Sequence, residues 1–212
     1  MHPLRVAYLQ AAQAAAALVG DPAVAAAWQA PSALPGFTVG GLAGHLAAQV
    51  VNVPRVLAAP APQGPAVALL DHYRKVRWLG ADLDAEINVQ IRDGGEQAAA
   101  AGAPGVAAQT TAAIRELTAL LAVAPADRLI TPPAGPWALR LDDFLVTRMM
   151  EITVHADDLA YSVGVPTPEL PHSVLEPVLA LLGGLAVRRH GQAAVIRALS
   201  RAERAPSSIV AI

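Results

Sequence analysis

The sequence predicts an all-α protein, a bundle of four long helices with a C-terminal helical extension. Three observations carry this reading. Alanine is abundant and β-branched runs are scarce, which favours helix on intrinsic propensity. Apolar residues recur at helical spacing, as in Leu4, Tyr8, Ala11, Ala15 and Leu18. Gly- and Pro-rich stretches separate the long segments. The 212 residues suit one domain, 1–212, with a four-helix core over about 1–165 and an extension over about 166–212. Hydrophobic residues make up 54% and charged residues 15%, a composition with ample material for a core and unlike that of a disordered chain.

The first helix is expected from Pro3 to Val19, stopped by "GDP". After the loop Pro31–Gly36, Thr38 is a plausible N-cap for a second helix, and Pro54 should kink or end it. A proline-rich connection, Ala59–Ala66, leads to a third helix expected over about Leu69–Ala101, with Gly94 and Gly95 as a breakpoint. A further helix covers about Val106–Val123. "ITPPAGPWALRL" reads as a turn flanked by short extended pieces. Asp142 or Asp143 is then expected to cap a helix that ends at Gly164, a good C′ residue. Two more helices follow the linker "VPTPELP", over about His172–Arg189 and Gln192–Arg204.

Charge and cysteine usage narrow the function classes. Net charge is −2 with no basic block, so nothing points to nucleic acid or an anionic membrane as partner. There is no cysteine, hence no disulfide, no thiolate ligand and no thiol nucleophile in the chain, which fits a cytoplasmic protein. The N-terminal alanine run is broken by Gln10 and Gln13 and reads as an amphipathic helix rather than a signal peptide. No stretch long enough to span a membrane is free of charges, prolines and amides. A homodimer through bundle faces is compatible with the sequence.

The segment "RMMEITVHADDLAYSVG" holds the most chemistry. At about 100° per residue, Glu151 and His155 lie about 60° and 20° to the same side of Arg148. Leu141, Phe144, Ile152 and Leu159 share that face, while Val146, Met149, Met150 and Val154 occupy the opposite one. A helix apolar nearly all round is central, so Glu151 and His155 should be buried or line a cavity. Helix neighbours at i and i+4 can both reach one metal ion, but a structural hydrogen bond or a surface pair has the same spacing. A metal site needs a third ligand. His45 sits in mid-helix on a stripe with Gln49 and Asn52, and a solvated stripe or a satisfied core histidine reads equally well. His2 is terminal, His172 follows a proline, His190 stands at a helix end, and His72 in "DHYRK" reads as a surface residue.

Taken together, "FTVGGLAGHLA" and "RMMEITVHADDLAYSVG" resemble the DinB-like superfamily, specifically its mycothiol-dependent maleylpyruvate isomerase N-terminal-type family, common in actinobacteria. The first segment supplies Phe37 and His45. The second supplies Arg148, Glu151, His155, Asp158 and Leu159 in the pattern R-x-x-E-x-x-x-H-x-x-D-L. The closing "RRHGQAAVIRALSRAERA" is also similar to relatives. The resemblance implies a DinB-like four-helix bundle in which His45, Glu151 and His155 hold a divalent metal, usually zinc. The sequence departs from the family at Phe37, where tryptophan is common, and at Gly40 and Gly41, which replace an acidic residue. A sterol-carrier-like second domain, which gives the isomerase a catalytic arginine, has no counterpart in these residues. Arg188, Arg189, Arg201 and Arg204 are candidates for a substitute, although exposed arginines near helix ends are the simpler reading.

What the resemblance implies is a metal-dependent transferase or isomerase-like enzyme. A low-molecular-weight thiol, mycothiol in first place, would be activated as a metal-bound thiolate to attack a small electrophile. Asp158 could orient His155, and Arg148 shares the catalytic face. Gln49 and Asn52 could bind polar parts of the thiol, with Tyr73 and Trp78 lining the pocket. Two alternatives stand beside it: a hydrolase with metal-activated water, and a non-catalytic helical binding module. Two imidazoles and one carboxylate accept zinc, nickel, manganese or iron alike.

Overall fold

The computed structural model describes all 212 residues. Its helices are α1 (Pro3–Val19), α2 (Pro22–Ala26), α3 (Val39–Val51), α4 (Val53–Ala58), α5 (Leu69–His72), α6 (Glu86–Ala99), α7 (Gly102–Val123), α8 (Leu141–Val163), α9 (His172–His190) and α10 (Gln192–Ser200). A hairpin of β1 (Leu129–Ile130) and β2 (Leu139–Arg140) precedes α8, and a 3₁₀ turn at Ala202–Arg204 follows α10. The architecture is all-α, with α1, α3, α7 and α8 packed on one another as the central bundle. Tyr8 from α1, Leu42 and Leu46 from α3, Leu117 and Leu121 from α7, and Phe144, Leu145, Met149 and Met150 from α8 fill the core. Val174, Val178, Leu181 and Leu185 of α9 join the same core. No helix is long and apolar enough to cross a membrane.

Local chemistry explains the ends of α3. Thr38 is its N-cap, accepting from the Gly41 N–H at 2.8 Å. Glu96 of α6 completes the cap, accepting from the Thr38 N–H at 2.8 Å and from its hydroxyl at 2.9 Å. The helix breaks at Asn52, and Pro54 sits in the first turn of α4, where a missing N–H costs nothing.

Helices α3 and α6 approach unusually closely because both present glycine at the contact. A Cβ on Gly41 would lie 2.0 Å from Glu96 Oε1, and one on Gly44 would lie 2.4 Å from the Gly95 carbonyl oxygen. A Cβ on Gly95 would meet the Gly41 carbonyl oxygen at 2.6 Å and His45 Cβ at 3.2 Å. Gly41 therefore makes room for Glu96, and Gly95 lets α6 pass close to His45.

Four expectations are corrected. The long helix over 69–101 is two helices, α5 and α6, separated by irregular chain. Gly80 takes φ 75° there, and Asn88 Nδ2 donates to the Ala81 and Asp82 carbonyls, while Tyr73 and Val76 turn into the core. Gly94 and Gly95 are no breakpoint; they lie inside α6, and the second makes the close contact with α3. Neither Asp142 nor Asp143 caps α8. Arg140 holds that position with extended backbone, because β2 runs straight into the helix and the Leu141 N–H donates to Arg128 O at 2.8 Å. Asp142 instead accepts from Arg5 Nε at 2.9 Å. The last α-helix also ends at Ser200, short of Arg204.

Candidate metal centre

Helix α8 places Glu151 and His155 one turn apart, and α3 brings His45 across from them. Glu151 Oε2 lies 3.2 Å from His155 Nε2 and 3.9 Å from His45 Nε2. The two imidazoles meet edge to face, with centroids 4.8 Å apart. One ligand atom from each residue falls within 4.8 Å of the others. Ligands at about 2.0–2.1 Å from a tetrahedral ion stand about 3.4 Å apart, so this group can close on a divalent metal with small side-chain adjustments. All three line a cavity of about 370 Å³, together with Arg148, Gln49 and apolar residues such as Phe37 and Phe144. The donor set is therefore open on one side.

The electrostatics follow from burial and neighbours. Burial works to neutralise Glu151, but His155, His45 and Arg148 outweigh it and hold its pKa well below the ordinary carboxylate range. Burial likewise pulls His155 down, yet the Asp158 and Glu151 carboxylates overcome it and raise that imidazole to about 9. His45 is lowered, chiefly by burial, which favours the neutral form that a metal ligand requires.

The surrounding residues fix these groups. Asp158 Oδ2 lies 3.0 Å from His155 Nδ1, as expected for an orienting acceptor. Arg148 Nη1 donates to Gln49 Oε1, its Nε donates to Thr147 Oγ1 at 3.1 Å, and its guanidinium sits 5.2 Å from the Phe144 ring centroid. With its oxygen facing Arg148, Gln49 turns its amide nitrogen to the His45 carbonyl oxygen at 2.9 Å, leaving it 3.4 Å from His45 Nε2. Gln49 thus joins the site. Asn52 does not line the cavity; it caps the α3–α4 junction.

Trp78 lines this cavity, whereas Tyr73 faces a second one with Arg188 and Arg189. Arg201 and Arg204 are exposed at the C-terminal end, and none of these four arginines reaches the first cavity. His2 caps α1, His172 is exposed beside Glu176, and His190 Nε2 lies 2.8 Å from Val210 O.

His72 overturns its surface expectation. Only 3% of it is exposed, it lines the cavity, and Trp137 Nε1 donates to its Nδ1 at 3.0 Å. Its charged sequence neighbours hid this, and the partner indole lies 65 residues away.

Among curated proteins and among solved structures, none matches the chain. Residues 8–160, from Tyr8 in α1 to Ala160 in α8, match the family described as the mycothiol maleylpyruvate isomerase N-terminal domain. That stretch contains every residue of the His45–Glu151–His155 group and its supporting Gln49, Arg148 and Asp158, and so the chain belongs to this family.

Proposed function

We propose that the protein is a metal-dependent thiol enzyme, with His45, Glu151 and His155 as ligands to a divalent ion, zinc in first place. The thiol is mycothiol and the co-substrate a small electrophile, joined in a transferase or isomerase-like reaction in the cytoplasm. The observation that carries this reading is the opening of the ligand group onto a cavity of about 370 Å³ rather than its closure within the core. A divalent ion held by two imidazoles and one carboxylate keeps positive charge and free positions, and lowers the pKa of a bound thiol or water. With no cysteine in the chain, the thiol must come from outside.

The chain's own residues supply the rest. Asp158 accepts from His155 Nδ1 and thereby aims Nε2 at Glu151. Arg148, braced by Gln49 and Thr147, keeps Nη2 without a partner in the chain, free to hold an anionic part of a substrate. Phe37, Ile87, Ile91 and Phe144 line the cavity with apolar surface that excludes water.

The test is conjugation of mycothiol to an aryl halide by zinc-loaded protein, compared with hydrolysis of an aryl ester by the same sample. Thiol conjugation that disappears in Glu151→Ala supports the reading. Ester hydrolysis without conjugation would replace thiol with water as nucleophile, and neither activity would leave a binding module.

A further inference from the structure

A second histidine-centred arrangement faces the same cavity from α5. His72 ends the four-residue helix α5. Trp137 Nε1 donates to His72 Nδ1 at 3.0 Å. An indole N–H is only a donor, so Nδ1 must be the unprotonated nitrogen. In the neutral ring the proton then resides on Nε2. That atom has no partner in the chain, and no fully enclosed side-chain polar atom is left unpaired, so Nε2 is open to the cavity that His72 lines.

The ring is also held in place. It meets Tyr73 and Trp137 edge to face, at centroid distances of 5.1 Å and 5.6 Å. Helix α9 braces α5: Arg188 donates to Leu70 O and to Asp71 Oδ1, and Gly184 leaves room for the Leu70 side chain. Burial above all, helped by Arg148, pushes His72 down to about 4, so the imidazole stays neutral across the neutral pH range.

We propose that His72 contacts the substrate, its Nε2–H donating a hydrogen bond to a carbonyl or carboxylate oxygen of the electrophile bound in the cavity. The proposal rests on the thiol-enzyme reading for which molecule occupies the cavity, and on Trp137 for the direction of the hydrogen bond. A buried group with one fixed donor rejects ligands that lack an acceptor there, because the N–H would lose water without replacement. Arg148, on the same cavity wall as the ligands, leaves a second polar anchor for the same molecule.

The experiment uses zinc-supplemented full-length protein and three small probes: acetophenone, benzoate and ethylbenzene. Wild type should bind acetophenone more tightly than ethylbenzene. His72→Phe should weaken acetophenone and benzoate by about tenfold while leaving ethylbenzene unchanged. His72→Gln, which keeps an N–H near the Nε2 position, should recover part of the loss. Nitrogen NMR should place the His72 proton on Nε2 in wild type. The proposal is overturned by a proton on Nδ1, by equal acetophenone and ethylbenzene affinity in wild type, or by undiminished acetophenone binding in His72→Phe. Metal and mycothiol binding are measured on the same samples. If His72→Phe loses metal, the residue acts through the metal group and the proposal fails. If wild type holds no metal, the thiol-enzyme reading fails, while the probe preference still decides the role of His72.

Discussion

Asp158 Oδ2 stands 3.0 Å from His155 Nδ1, and this contact decides which imidazole nitrogen is presented to Glu151. A ring free to flip would offer either nitrogen. With Nδ1 committed to the carboxylate, Nε2 alone remains for a metal.

Asp158→Asn should keep the helical fold and weaken metal binding by about 10- to 100-fold. Competition against a chromophoric chelator measures this directly. An unchanged affinity would reduce Asp158 to a bystander on the surface of α8.

The raised pKa of His155 makes the metal-free protein sensitive to pH in a defined direction. Its pKa is about 9 in the folded chain against an ordinary 6.5. Stability from this group is therefore fully present below about 6.5 and lost as pH rises through about 9. The depressed Glu151 contributes stability above its ordinary value of 4.5, lost as pH falls below it. Denaturant titrations of metal-free protein should show decreasing stability between pH 7 and pH 9. Metal binding should strengthen over the same interval, because the ion must displace the His155 proton.

Gly44 and Gly94 make opposite predictions. A Cβ at Gly44 would press on the Gly95 carbonyl at 2.4 Å, so Gly44→Ala should destabilise by about 1–3 kcal/mol and disturb the neighbouring His45. Gly94 has open space around its Cβ position and lies inside α6, so Gly94→Ala should stabilise by about 0.5–1 kcal/mol. Thermal unfolding of the two variants separates the effects.

Arg5 ties three helices together. Only 3% exposed, it donates to Asp142 and to the Leu121, Ala124 and Pro125 carbonyls at the end of α7. Arg5→Met should cost about 3 kcal/mol, because those carbonyls and the partly buried Asp142 lose their donor. Chemical denaturation checks the magnitude.

Much of this was readable from residue patterns. The nearly continuous apolar wheel around 141–163 foretold a central helix, and Met149 and Met150 are indeed completely buried. Thr38 and Gly164 marked helix ends because their conformations are local: an extended N-cap and a left-handed C′ residue at φ 70°. The chain between α5 and α6 was not readable, since its course depends on Tyr73 and Val76 finding the core. His72 was misplaced for the same reason: its environment is set by Trp137 and α9, both distant in sequence. Glu96, which caps α3 from another helix, had no local signature at all.

Elemental analysis of zinc-dialysed wild type, Glu151→Ala and His45→Ala, with circular dichroism to establish that each is folded, tests the metal group most directly. The expected result is about one divalent ion per wild-type chain, as for a single His–Glu–His ligand set, and none in either folded variant. A wild-type protein that binds no ion, or variants that bind as much as wild type, would contradict the assignment of His45, Glu151 and His155 as a metal centre.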